Sequence, residues 1–342
     1  MTEKINVGIV GTGLYFPKTV MTADDISKAT KGVWTERAVI EKLGIYQKPV
    51  PGPDDGTQEM GVRAGLDCLK QTGVDPKEID VILCIGEERK EYPITTTGTY
   101  IQHKIGAVNA WAIDIAQRCC TCVSAMKIAK DMMIADPEIN TVMIVGGYRN
   151  GDFVDYANPS LSAMYNLGAG AGAMILKKNY DRNLVLGTSI MSDGAFSRDI
   201  VVEIGGTVNP ITRENIDSAY KSMIMLDEKH MKDGLNAISM PNWFSCIDRA
   251  LEKSGYTRKD LGYLAILHFK YSMHKYMLQQ LGLNEDQTIY LSNYGHIGQV
   301  DQILSLQLAL EQGKVKDGTV LAMIAAGTGY TWAANIVKWG PM

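Results

Sequence analysis

Two stretches of this chain share one pattern, and that repetition constrains the fold more than any other feature. KQTGVDPKEIDVILCIG (70–86) and EKSGYTRKDLGYLAILHF (252–269) each run from a helix end through a glycine and a polar turn into an apolar strand. Gly73 matches Gly255 and Lys77 matches Lys259 at an offset of 182, while Thr141-Val142 matches Thr319-Val320 at 178. Offsets this close point to an internal duplication. In each copy apolar strands alternate with helical patterns, which implies an α/β fold with mostly parallel sheets. Two such halves packed together make five layers, α-β-α-β-α, with sites at the C-terminal ends of strands. We place the halves at 1–180 and 181–342.

The elements follow from periodicity. Val7 to Val10 reads as a strand ending at Gly11-Thr-Gly13, but a dinucleotide loop lacks its third glycine there and Pro17 blocks a helix. Helical patterns cover Trp34 to Leu43, Gln58 to Gln71, Thr96 to Ile105 and Ile303 to Leu310, and another begins at Val123. Ile79 to Ile85, Ala110 to Ile115, Thr141 to Val145, Ala173 to Leu176, Tyr263 to Leu267 and Val320 to Ala325 read as buried strands. Asp152 to Asn166 is an irregular aromatic loop of the kind that lines a pocket.

Composition removes several function classes. With 342 residues, 46% of them apolar, the chain can bury a large core. A net charge of −4 leaves no basic footprint for nucleic acid. No apolar run reaches the ~18 residues of a membrane span. The N-terminal residues run straight into a strand pattern without a signal peptide. Six cysteines in a chain this long do not make a disulfide framework, so the expected setting is the reducing cytoplasm.

Chemistry concentrates in AWAIDIAQRCCTCVSAM (110–126), where Cys119, Cys120 and Cys122 sit between a strand and a helix. A thiol at the first turn of a helix faces unpaired N–H groups and the positive end of the dipole, which favour a thiolate. Cys119 and Cys122 also spell C-x-x-C, but the flanks do not fit a thioredoxin motif and no second ligand pair suits zinc. A disulfide between them is left open by the sequence. His268 ends one strand, and His296 lies in a glycine turn that opens a helix. A cysteine with two histidines, all at strand ends, is a nucleophile and acid–base constellation. Gly327-Thr328-Gly329 after another strand can offer backbone N–H groups to an oxyanion. His103, His230 and His274 read as surface or packing residues, and the eighteen methionines as core filler.

These residues resemble the β-ketoacyl-carrier-protein synthase III group of the thiolase fold, nearly end to end. IDIAQRCCTCVSAM is similar to its aspartate-containing strand and acyl-accepting cysteine, with Cys119 in that place. LAILHFKYSMHKYMLQQLGL matches the strand ended by its histidine at His268, and Tyr294-Gly295-His296 its third turn. GKVKDGTVLAMIAAGTGYTWAANIVKW, Ser192-Asp193-Gly194 and Gly170 to Ala173 also fit. The usual third residue, asparagine, is His296 here, and the carrier-docking arginine is Met273. The resemblance implies an acyltransferase that forms a C–C bond by decarboxylative Claisen condensation. Cys119 would carry the acyl group, Gly327 and Thr328 the oxyanion, and His268 and His296 the enolate. It further implies acyl-CoA or an acyl-carrier protein as substrate, a homodimer, and no metal or redox cofactor. A hydroxymethylglutaryl-CoA-synthase-like or thiolase-like condensation is the alternative, with Glu87 or Glu88 as candidate general base. A non-catalytic subunit of a heteromeric complex is a further one, which a retained Cys119 disfavours.

Overall fold

A computed structural model describes residues 5–86 and 89–342. Its main sheet has nine strands: β1 Val7–Tyr15, β2 Val81–Cys84, β3 Trp111–Asp114, β4 Thr141–Tyr148, β5 Gly170–Lys178, β6 Arg182–Ser192, β7 Leu261–Ile266, β8 Val320–Gly327 and β9 Thr331–Pro341. Their spatial order is β7-β8-β9-β6-β1-β5-β4-β2-β3. The repetition seen in the sequence reappears as topology. On one side β1 meets β5 and β5 meets β4, both antiparallel, and β4 lies parallel to β2. On the other, β6 meets β9, β9 meets β8, and β8 lies parallel to β7 in the same senses. Val81 opposes Val142 in one copy and Leu261 opposes Val320 in the other. Within the sheet the two sides join through β1 and β6, with Gly8 opposite Leu184. Gly73 and Gly255 both end helices in the left-handed conformation, at φ 69° and 75°, which glycine adopts without a Cβ penalty.

Six principal helices cover the sheets: α1 Thr57–Thr72, α2 Thr97–Ile105, α3 Thr121–Ala135, α4 Glu228–Ser254, α5 Tyr271–Leu281 and α6 Asp301–Glu311. The middle layer is α3 and α6. Met126, Ala129 and Met133 of α3 and Ile303, Leu306 and Ala309 of α6 share one core with Val142 and Ile144 on one side and Leu321 and Met323 on the other. Apolar residues around most of a helix are what a helix between two sheets requires. α1 and α2 cover the outer face of the first side through Ala64, Cys68 and Ile101. Trp243, Ile247, Met277 and Leu278 of α4 and α5 cover the outer face of the second. The expected five-layered thiolase-type α/β arrangement results, but the sheet is mixed rather than mostly parallel. Among the described residues five of its eight strand pairs are antiparallel, because short connections such as 328–330 between β8 and β9 return the chain beside itself.

Two local findings bear on the site. Gly13 belongs to β1 rather than to a nucleotide loop: a Cβ there would lie 2.2 Å from Cys68 N and 2.6 Å from Ala64 O, so its absence lets α1 rest directly on the strand. The strand expected to be buried at Ala110 to Ile115 is instead an edge. Among the described residues β3 pairs only with β2, and Trp111 and Ile113 are 50% and 44% exposed. A short apolar run does not distinguish a central strand from an edge strand whose outer side awaits a partner.

Candidate active site

The chain leaves β3, turns at Arg118–Cys120 and enters α3 at Thr121. Arg118 sits at φ 52°, a left-handed conformation costing a non-glycine residue about 1–2 kcal/mol. Thr121 holds that turn: its hydroxyl accepts the Gln117 N–H at 2.8 Å and donates to the Arg118 carbonyl at 2.5 Å. The result places Cys119, half-buried, at the mouth of a helix N-terminus. Cys120 and Cys122 point into the core, and burial pushes the Cys122 thiol up to about 12. All six cysteines are free thiols, so no bridge joins Cys119 to Cys122.

His296 faces Cys119, with Nε2 3.1 Å from its Sγ. Its other nitrogen, Nδ1, donates to Asp301 Oδ2 at 2.6 Å. Asp301 is the first residue of α6 and is fully buried. Its Oδ1 accepts the Ile297 N–H at 2.7 Å, and Oδ2 also accepts the His268 backbone N–H at 2.8 Å. A buried carboxylate is tolerable only with such partners. Burial acts to lower the His296 pKa, but the Cys119 and Asp301 charges outweigh it and hold it well above the ordinary imidazole value. Cysteine, histidine and aspartate thus stand in line, the aspartate fixing the imidazole's orientation.

His268 is placed differently. Its side chain is buried, with Nε2 3.3 Å from the Gly44 carbonyl and Nδ1 3.1 Å from the Asn166 amide nitrogen. Burial depresses its pKa to about 3, so the ring is neutral. The hydrogen bonds assign the proton to Nε2, donated to Gly44, with Nδ1 accepting from Asn166. Its link to Cys119 runs through Asp301 and His296. Gly327 closes the site from the end of β8: a Cβ there would fall 2.8 Å from Gln117 O and 3.2 Å from Cys119 N. The Gly327 backbone hydrogen-bonds the Cys120 sulfur, and Thr328 follows it, half-buried. Glu87 and Glu88 lie outside the described residues.

Asp301 and Asn166 complete the site, and sequence reasoning missed both. A signal existed for Asp301, an acid set among Ile297, Val300 and Ile303 where an apolar helix begins. Asn166 closes the aromatic loop already read as pocket-forming, and Asp152, Val154 and Tyr156 of that loop line a cavity with Val50, Pro51 and Gly168. Among the described residues no cluster of His, Cys, Asp and Glu is arranged to hold a metal, and no helix is long and apolar enough to cross a membrane.

Family models for 3-oxoacyl-[acyl-carrier-protein (ACP)] synthase III match residues 113–194 and, for its C-terminal part, 251–339, together half of the chain. The chain belongs to the 3-oxoacyl-[acyl-carrier-protein] synthase III family. A β-ketoacyl-[acyl-carrier-protein] synthase III of Caldanaerobacter subterraneus is 24% identical over 342 residues, spanning 99% of each chain. The structure of the priming β-ketosynthase of the R1128 polyketide pathway aligns with a TM-score of 0.84 at 23% identity, over 100% of this chain and 99% of that one. The Aquifex aeolicus 3-oxoacyl-[acyl-carrier-protein] synthase III gives 0.82 at 21%, covering 97% and 100%. The family expected from IDIAQRCCTCVSAM and the His268 and His296 segments is therefore the one found. The synthase III models cover the Cys119 turn, both histidines and Gly327, and Asp301 falls within the C-terminal one.

Proposed function

We propose that this synthase III family member is an acyltransferase that forms a C–C bond by Claisen condensation through an acyl-enzyme on Cys119. The observation carrying this reading is the 3.1 Å contact between Cys119 Sγ and His296 Nε2, backed by Asp301. The Cys119 thiolate attacks the carbonyl of an acyl thioester. Charge gathers on the carbonyl oxygen beside the Cys119 N–H and the 327–328 turn. The tetrahedral intermediate expels the carrier thiolate, which takes the His296 Nε2 proton, and leaves the acyl group on sulfur. In the second half a malonyl-type thioester loses CO₂, and its enolate carbon attacks the acyl carbonyl. The Cys119 thiolate leaves, and a β-ketoacyl thioester is released. Incubating the protein with malonyl-CoA and an acyl-CoA tests this: CO₂ and a β-ketoacyl product should form together. Product from acetyl-CoA alone, without CO₂, would instead support the non-decarboxylative route.

One observation favours a second reading of the second half-reaction. A His296 oriented by Asp301 is equipped to take a proton from a hydroxyl or amine, and His268 Nε2 is already spent on the Gly44 carbonyl rather than aimed at an enolate. In this reading the acyl group passes to oxygen or nitrogen: His296 takes the acceptor's proton, the acceptor attacks, and Cys119 leaves as thiolate. Acyl-enzyme offered a panel of alcohols and amines without malonyl-CoA would turn over in this case and stall in the other.

The active assembly is a homodimer. β3 carries Trp111 and Ile113 on an unpaired edge beside Val108, 65% exposed, and a second copy of the strand would cover them. Light scattering should give twice the chain mass, and Ile113→Lys should give monomer. For the carrier, Met273 replaces a cation, while Arg258 is engaged by Asp248 at 2.6 and 2.8 Å and Lys253 by the Thr188 carbonyl. With Met273 in that place and Arg258 neutralised by Asp248, steering of an acidic carrier protein rests on the exposed Arg249, Lys253 and Lys259, so acyl-CoA should give the higher kcat/KM. A higher value with the carrier-bound acyl group would reverse that assignment.

A further inference from the structure

Lys48 is a lysine with no exposed surface and, among the described residues, no carboxylate partner. It lies in the short strand Gln47–Pro49, which pairs with Val20–Thr22. Its ammonium donates three hydrogen bonds: to the Tyr156 hydroxyl at 2.7 Å, the Tyr165 carbonyl at 2.6 Å and the Leu167 carbonyl at 2.7 Å. Every N–H is used, and all three acceptors are neutral. A lone ammonium in the core is costly, and burial pulls its pKa down to about 7. Leucine or methionine would fill the volume without that cost, so the three hydrogen bonds are what the position requires.

The two carbonyls held by Lys48 flank Asn166, and Asn166 is where both histidines are anchored. Its carbonyl accepts the His296 backbone N–H at 2.8 Å, and its amide nitrogen lies 3.1 Å from His268 Nδ1. Two residues on, Gly168 N–H donates to the His296 carbonyl at 2.9 Å. The backbone at 166–168 thus grips His296 from both sides of its peptide unit. The packing leaves no slack: a Cβ on Gly295 would stand 2.3 Å from the Asn166 carbonyl and 3.3 Å from Lys48 Cβ. Tyr165 stacks on Tyr156 with ring centroids 5.1 Å apart, so the third acceptor belongs to the same rigid unit.

We infer that Lys48 is a positioning residue: by clamping the carbonyls on either side of Asn166 it sets where His296 stands against Cys119. The inference rests on the Cys119–His296 reactive pair proposed above. Without the ammonium, two carbonyls and a phenol lose their donor in the core. The 165–168 segment then shifts, and the 3.1 Å contact, which tolerates little misplacement, opens.

The test is the pH profile of Cys119 alkylation by iodoacetamide, read by peptide mass spectrometry, alongside the melting temperature of each variant. In the wild type the profile should depend on His296, so that His296→Ala moves its midpoint upward. Lys48→Met should move it the same way and slow alkylation at neutral pH by about tenfold or more. Lys48→Arg keeps a cation in the core, but its flat guanidinium cannot reach all three acceptors. It should give a smaller shift in the same direction, and it serves where Lys48→Met does not fold. A residue that merely supports the fold would lower the melting temperature and leave the profile of the folded protein alone; that result in Lys48→Met, or in Lys48→Arg where Lys48→Met does not fold, overturns the inference. A wild-type profile that His296→Ala leaves unmoved overturns the reactive pair and the inference together. A profile that moves in His296→Ala but in neither Lys48 variant overturns the inference alone.

Discussion

The proposed reaction assigns Cys119, His296 and Asp301 three different tasks, and single substitutions separate them. Cys119 supplies the sulfur: exposure to a short acyl-CoA should add one acyl mass to its peptide, and Cys119→Ser should abolish it. Label on Cys120 or Cys122 would contradict a structure in which both are buried. Asp301 supplies orientation. Asp301→Asn replaces an acceptor of three N–H groups by an amide whose NH₂ cannot accept, so His296 loses its fixed tautomer. Such a change costs on the order of 10²–10⁴ in rate where an imidazole serves as base. Stopped-flow acylation should show that loss with the circular dichroism spectrum retained. His296 itself distinguishes two roles. If it acts on the thiol, Asn and Ala should both slow acylation. If it only donates a hydrogen bond to the enolate, acylation survives both, and Asn keeps most of the condensation rate because its NH₂ supplies the same donor. The 3.1 Å contact with Cys119 leads us to expect the first pattern.

At the scale of elements, the site is a meeting of ends. The turn before α3 brings Cys119, the turn before α6 brings His296, and the first residue of α6 brings Asp301. β8 closes against the Cys119 turn through Gly327. Gly327→Ala tests that closure, because its Cβ would meet the Gln117 carbonyl at 2.8 Å and backbone cannot yield as a side chain can. Misplacement by ~1 Å at a reacting group costs as much as 10²-fold, so single-turnover acylation should fall by about that factor while KM stays near the wild-type value. An acylation rate within twofold of wild type would place the turn away from the chemistry. Seven of the nine strands of the main sheet were legible because each holds an apolar run ended by a glycine or polar turn, and because the two copies repeat the pattern. β6, β9 and α4, whose polar and small residues break such runs, were not read. The duplicated Gly73 and Gly255 proved to be equivalent helix ends, and Lys77 and Lys259 to lie in equivalent 3₁₀ turns. What periodicity could not show is which ends converge. Lys48 and Tyr165 are 117 residues apart in sequence, and Cys119 and His296 are 177. The histidines were nameable, but not their division into one that faces the thiol and one that faces Gly44. That division depends on Asp301 and Asn166, polar residues that carry no periodic signal.

Over the whole molecule, a buried site of this kind makes the fold sensitive to acid, and the sign follows from its neutral histidines. Burial holds His268 at about 3 and His274 at about 4, against 6.5 for an ordinary imidazole. Between about pH 4 and 6.5 the unfolded chain therefore binds protons that the folded chain refuses. Both contributions to stability are intact above 6.5 and are lost as the pH falls. Each such group adds a slope of about 1.4 kcal/mol per pH unit to the unfolding free energy in that window. The two histidines differ in what they hold. His268 is tied to Gly44 and Asn166, whereas among the described residues His274 has no partner for Nδ1 and only a 3.4 Å contact from Nε2 to the Thr288 hydroxyl. It packs between Phe269 and Tyr290. His274→Leu should therefore leave stability at pH 7.5 within about 1.5 kcal/mol of the wild type, since an apolar group of similar volume replaces a poorly bonded ring. Urea unfolding from pH 4.5 to 7.5 should then show the variant's slope lower by about 1.4 kcal/mol per unit through the middle of that range. An unchanged slope would mean that His274 is protonated within the fold, and that burial does not govern it.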